Sequence, residues 1–159
     1  MEPQISNSSA RKLVGMRVMT SLSNDKTPAL WQGFMPRRFE IENRTDEGYY
    51  SVAVYEGGLN PETFSNTTVF EKWAAVAVRS FENIPEGMER LLLPEGKYAL
   101  FLHKGPAAAF GKTAAYIYTE WLPKSGFELD NRPHFEFMGA RYLGHEHPDS
   151  EEDVWIPIR

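Results

Sequence analysis

Two periods alternate along this chain: apolar residues at every second position, and apolar residues three or four apart. Residues 12–22 (KLVGMRVMTSL) set Leu13, Met16, Val18 and Leu22 among polar neighbours, an imperfect strand pattern. Thr27-Pro28 then opens a helix, with Thr27 as its N-cap and Pro28 at the first helical position. The helix carries Leu30, Trp31 and Phe34 until Pro36 stops it. Residues 49–56 (YYSVAVYE) are β-branched and aromatic and are bounded by Gly48 and Gly57-Gly58, which predicts a strand. Residues 70–78 (FEKWAAVAV) predict the next. A turn at Ile84–Gly87 leads to a strand over 88–93, and Pro94-Glu95-Gly96 turns the chain into a strand over 97–104. Gly105-Pro106 opens a second helix, with Phe110, Ala114, Ile117 and Trp121 at helical spacing, and Pro123 ends it. Strands over 135–142 and 153–158 close the chain. Residues 1–11 read as a flexible polar tail.

The order strand, helix, strand, strand therefore occurs twice, and the sequence repeats with it. Trp31, Phe34, Met35 and Pro36, followed by Phe39-Glu40-Ile41, return as Tyr118, Trp121, Leu122 and Pro123, followed by Phe127-Glu128-Leu129, with one inserted residue. An internal duplication accounts for this. One β-α-β-β unit is too small to bury its own apolar face. The expected fold is α+β: two such units, about 12–80 and 88–159, forming a single domain over 12–159. They share one largely antiparallel concave sheet with two helices and a central cleft, and pockets form readily at such junctions.

Composition narrows the chemistry. A formal charge of −5, with Lys and Arg scattered, does not supply the basic stripe of a nucleic-acid surface. With no cysteine there is no disulfide, no thiolate zinc site and no cysteine nucleophile. The first ten residues lack the apolar core of a signal peptide, and no apolar run approaches the ~20 residues of a membrane span. A cytoplasmic protein without membrane contact is expected. His145-Glu146-His147 has no third ligand at structural-site spacing, so no metal is expected. The glycines near Lys104 and Lys112 do not reach phosphate-loop spacing, and no serine nucleophile elbow is present. No cofactor is implied. Aromatic residues make up 13% of the chain, and the polar tips of Trp and Tyr suit half-open amphipathic pockets.

The tandem repeat, the Gly105-Pro106 helix entry, the His134-Phe135-Glu136 strand and the closing Asp153-Val154-Trp155-Ile156-Pro157-Ile158 together resemble the GyrI-like family. That family includes the effector-binding domains of AraC-type and multidrug-responsive MerR-type transcription regulators, and the resemblance runs from about Lys12 to Ile158. It implies a module that binds small amphipathic or cationic molecules, a lipophilic cation above all, in an aromatic cage around an acidic residue. This chain is expected to be a stand-alone form, with no helix-turn-helix and no direct nucleic-acid contact. It also has Asp153-Val154-Trp155 where the family often has Glu-x-Tyr.

Glu136 is the candidate acid, because a charge between Phe135 and Phe137 in mid-strand needs an open face. Strand parity puts His134 and Met138 on its side, and its equivalent in the other half is Ser51. Asp153 and Trp155 share one face of the last strand, where Trp155 could offer a π-face to a cation. Trp31 and Tyr118, equivalent in the repeat, are expected to line the cleft from its two sides, with Tyr50 and Phe110 beside them. Phe34 and Trp121 are assigned to the core, and Glu151 and Glu152 to a loop. Some members of the family resemble hydrolases of cyclopropane-bearing toxins, and in that alternative Glu136 is the general base. Binding is the favoured reading, because no second catalytic acid stands out beyond Asp153.

Overall fold

Eight strands and a small set of helices account for the chain in a computed structural model, which describes all 159 residues. In order they are β1 (Gln4–Ser8), β2 (Arg11–Thr20), α1 (Thr27–Phe34), β3 (Tyr49–Val54), β4 (Phe70–Val78), β5 (Glu89–Leu93), β6 (Gly96–Lys104), α2 (Phe110–Tyr116), α3 (Leu122–Ser125), β7 (His134–Met138) and β8 (Glu151–Pro157). All pairings are antiparallel, in the order β1-β6-β8-β7-β3-β4-β2-β5. The β3–β7 pair is the seam between the repeats. The chain is α+β, with two duplicated units in one sheet.

The tail expected over residues 1–11 is instead structured. Gln4–Ser8 pairs with β6 and Arg11 begins β2. An edge strand needs only backbone partners, so the polar sequence QISNS shows no apolar alternation to betray it. Its place also changes the repeat. β1 precedes the first unit but pairs in the second half, while β5, the leading strand of the second unit, pairs with β2 in the first. Each unit thus lends its leading strand to the other, and neither half is complete alone.

The connections curl the sheet. Only Pro94-Glu95 separates β5 from β6, so their ends lie within about 11 Å. In a flat sheet the six strand spacings between them would span about 29 Å. The short β1–β2 link makes the same demand on the other side. The sheet therefore closes into a half-barrel. Its inner face holds one aromatic-rich core with Leu13, Tyr50, Val52, Trp73, Leu93, Tyr98 and Phe135. The outer face carries two separate cores. One joins Leu30 and Phe34 of α1 to Val14, Ala74 and Val76; the other joins Ile117 to Ala99, Phe101, Val154 and Ile156.

Pro36 does end α1, which stops at Phe34 and gives way to a 3-10 turn over Met35–Glu40. Pro123 does not end its helix: it sits in the first turn of α3, where a missing N–H leaves nothing unpaired. Between α2 and α3 one π turn, Ile117–Trp121, absorbs the change of hydrogen bonding, and Tyr118 lies in it. Gly126, at φ 80°, stops the run. No helix is long and apolar enough to cross a membrane.

Candidate functional site

Between the two outer cores the seam is lined by polar groups. The β3–β7 register sets Ser51 opposite Glu136, Ala53 opposite His134 and Tyr49 opposite Met138, all on the outer face. Lys72 of β4 lies opposite Ala53 and so faces the same way. On β8, Val154 is the partner of Glu136, which puts Glu152, two residues away, on that face as well. Three charges thus meet where a helix-covered sheet would normally hold apolar side chains.

Their electrostatics are unequal. Lys72 Nζ stands 3.9 Å from Glu136 Oε2, with the two side chains only 14% and 17% exposed. Glu152 has neither an ion pair nor a side-chain hydrogen bond. Burial, and then the neighbouring charge of Glu136, push its carboxyl up to about 7, although Lys72 pulls the other way.

Tyrosines close over this group. The Tyr118 hydroxyl lies 3.2 Å from His134 Nδ1. Tyr55 meets the His134 ring edge-on at 5.1 Å and packs on Phe70 at 5.3 Å. Enclosure raises both tyrosine hydroxyls, and the charge of Glu136 adds to it. Tyr118 is half-buried as a residue while its hydroxyl end is enclosed. Burial holds His134 neutral by pushing its pKa down to about 3, and its buried Nε2 has no partner. A neutral imidazole with one free nitrogen is a hydrogen-bonding group for whatever enters.

The structure brings together only some of the expected residues. Glu136 and Tyr118 meet in this cleft. Trp31 belongs to the same outer face but packs edge-on to Phe34 and Tyr49, on the α1 side. Phe110 lies against His103 at 5.3 Å, beyond Glu152. Trp155, Tyr50 and Asp153 are on the opposite, inner face, because Phe135 pairs with Trp155 and Phe137 with both Tyr50 and Asp153. The parity expected within β8 holds, but the register turns Trp155 away from Glu136. A single cage made of all seven residues does not exist.

An aromatic cation cage does exist on the inner face, and the chain fills it. The guanidinium of Arg11 lies 4.8 Å from the Trp155 ring, 5.3 Å from Phe135 and 5.9 Å from Tyr50. Trp155 stacks on Phe135 at 5.4 Å. Arg11 also donates to the Tyr50 hydroxyl at 3.2 Å, which in turn donates to Asp46 at 3.0 Å. Asp153 accepts from Arg141 at 3.1 Å.

Lys72, Tyr55 and Glu152 escaped the sequence reading. Lys72 carried a usable signal, since FEKWAAVAV places it in line with Phe70, Ala74 and Val76, a lone charge on a buried face. Glu152 lies in a strand and not in the expected loop, because β8 begins two residues earlier than its apolar pattern. Two concavities lie elsewhere. One of about 450 Å3 adjoins Tyr116, Trp121 and Phe127; one of about 540 Å3 adjoins Arg11, Tyr50 and Arg79. At the seam the side chains of Tyr55 and Tyr118 pack against His134.

Comparison with known proteins agrees with this architecture. The family described as GyrI-like small molecule binding domain matches residues 1–159. The transcriptional regulator BrlR of Pseudomonas aeruginosa is 31% identical over 159 residues, which cover 99% of this chain and 56% of BrlR. The chain thus spans little more than half the length of that relative. Among solved structures, SAV2435 bound to tetraphenylphosphonium superposes with a TM-score of 0.75 at 15% identity, covering 100% of this chain and 94% of the other. The C-terminal domain of EcmrR does so with a TM-score of 0.74 at 11% identity, covering 99% and 97%. At these identities the structural likeness concerns the fold.

Proposed function

The chain belongs to the GyrI-like small-molecule-binding domains, and from that premise we propose that its outer cleft captures an amphipathic organic cation. One observation carries the reading. Two half-buried carboxylates, Glu136 and Glu152, share a cleft with a single ammonium, Lys72, under the enclosed hydroxyls of Tyr55 and Tyr118. Negative charge in excess, withdrawn from water and walled by aromatic rings, attracts a cation that is itself poorly hydrated. Each well-placed ring adds about 0.5–2 kcal/mol. To admit a ligand the tyrosines must turn aside, so binding goes with local rearrangement of the π turn and of the segment that follows β3. The role that fits is an effector-binding module: capture of the cation changes the state of the cleft, as suits a domain whose relative BrlR is a transcriptional regulator.

Calorimetry with tetraphenylphosphonium and with tetraphenylborate, equal in shape and opposite in charge, tests this. The cation is expected to bind and the anion not to. Tyr118→Ala is expected to alter cation affinity at least about fivefold, as loss of one ring contact of ~1 kcal/mol or more requires. Equal binding of both ions, or of neither, would refute the reading.

A further inference from the structure

The cleft holds two acids, and they are not equivalent. Glu136 already has a cation: Lys72 reaches it at 3.9 Å, with both side chains largely withdrawn from solvent. Glu152 has none. On the same face its neighbours are Glu136 from β7 and Lys72 from β4, the latter engaged with Glu136. From β6 it meets its register partner His103, and from the turn after β7 it meets Tyr142. Both ring nitrogens of His103 are taken, Nδ1 by the Thr113 hydroxyl at 2.7 Å and Nε2 by the Pro106 carbonyl at 3.3 Å. Arg141 reaches Glu151 and Asp153, the neighbours of Glu152 in sequence, but those lie on the other face of β8. No group around Glu152 makes an ion pair or a side-chain hydrogen bond with it, and Lys72, engaged with Glu136, acts on it only at a distance.

We infer that Glu152, not Glu136, is the carboxylate that takes the ligand's positive charge, and that Lys72 neutralises Glu136 and holds it beside the ligand. This rests on the cation-binding reading of the cleft. An ion pair already formed gains little from a second cation, whose approach Lys72 opposes. An unpaired carboxylate in a desolvated position gains a partner outright. Bringing a cation to Glu152 favours its ionised form, so binding expels the proton it holds when the site is empty. With its carboxyl at about 7, roughly half a proton leaves per ligand at pH 7. Affinity then declines as the pH is lowered from 8 to 6.

Titration of tetraphenylphosphonium at pH 7, in two buffers of different ionisation enthalpy, measures that proton directly. Wild type is expected to release it. Glu152→Gln is expected to lose the release, to lose the pH dependence, and to bind at least about 30-fold more weakly. The double variant Glu136→Gln/Lys72→Met, which removes the ion pair together, is expected to keep both the release and the pH dependence. Release that persists in Glu152→Gln and disappears in the double variant would overturn the assignment and restore Glu136. Should the double variant fail to fold, wild type against Glu152→Gln still decides, since binding by wild type without proton exchange also overturns it. If wild type binds no cation at all, the reading of the cleft fails first and the assignment falls with it.

Discussion

The two faces of the sheet present the same two ingredients, aromatic rings and a cation, in opposite balance. On the inner face Arg11 lies over Trp155, Phe135 and Tyr50, inside a core continuous with Leu13 and Tyr98. On the outer face Lys72 meets two carboxylates beneath Tyr55 and Tyr118, and one carboxylate is left without a partner. The inner cage already holds its cation, Arg11, although the buried Trp155 Nε1 there lacks a hydrogen-bond partner. The outer cleft keeps a carboxylate without a counter-ion, and an unpaired, desolvated charge is what a ligand can complete. Aromatic content alone does not separate a binding cage from a core; the charge balance does.

Four measurements sharpen or break that contrast, in descending size of effect. Trp155→Ala removes a ring stacked in the inner core and is expected to cost about 3–4 kcal/mol in chemical denaturation. Its tetraphenylphosphonium affinity, measured on the folded variant, should stay as in wild type. A loss of cation affinity there would mean that the inner cage is the binding site.

The second concerns pH. Glu152 has its folded pKa raised, so the folded state holds the proton more tightly than the unfolded chain does. That stability is complete below the ordinary glutamate pKa and is lost as the pH rises through about 7. His134, with its pKa lowered to about 3, acts in the opposite sense, losing stability as the pH falls below its ordinary value. Subtracting one variant from the other cancels His134. Glu152→Gln is therefore expected to match wild type near pH 4, below the ordinary glutamate pKa, and to exceed it by about 2–3 kcal/mol at pH 8. Parallel stability profiles would show that Glu152 is well solvated.

Third, Glu136→Gln is expected to reduce stability by about 2 kcal/mol, because it strips Lys72 of its partner in a half-buried setting. From sequence alone no such loss follows, since nothing within the strand at Glu136 points to Lys72 as its partner. Thermal unfolding of Glu136→Gln beside Glu136→Gln/Lys72→Met tests this, and the double variant should recover part of the loss. The smallest effect is Arg11→Ala, at about 1 kcal/mol. Solvent reaches part of that guanidinium, and its hydrogen bonds to Tyr50 and Ser8 can be replaced by water. If Arg11→Ala opens the inner cage to tetraphenylphosphonium, the two faces differ only in what occupies them.

Much of the architecture was written in local pattern. The strand at Phe70–Val78, the helix start at Thr27 and the repeat of Trp31–Ile41 in Tyr118–Leu129 each depend on neighbours in sequence or on a spacing preserved within the chain. So does the face of Glu136, since parity within a strand is local. Pro123 misleads for a local reason too: a first-turn proline and a stop such as Pro36 are written alike, and only the π turn before α3 tells them apart.

What the sequence by itself determined, then, is the duplicated α+β plan, the equivalence of Ser51 and Glu136 in the repeat, and the face of its strand on which Glu136 lies. Tertiary structure alone decided which aromatic residues share the outer cleft. A shift of one residue between β7 and β8 would turn Trp155 towards Glu136 and Glu152 away from it, and nothing within either strand specifies that register. It alone placed Gln4–Ser8 at the edge of the other half, because an edge strand is recruited through backbone groups that every residue carries. And it alone brought Lys72 to Glu136 across an intervening strand. Charge pairing depends on distance in space, and 64 residues of chain say nothing of the 3.9 Å that the curled sheet leaves between them.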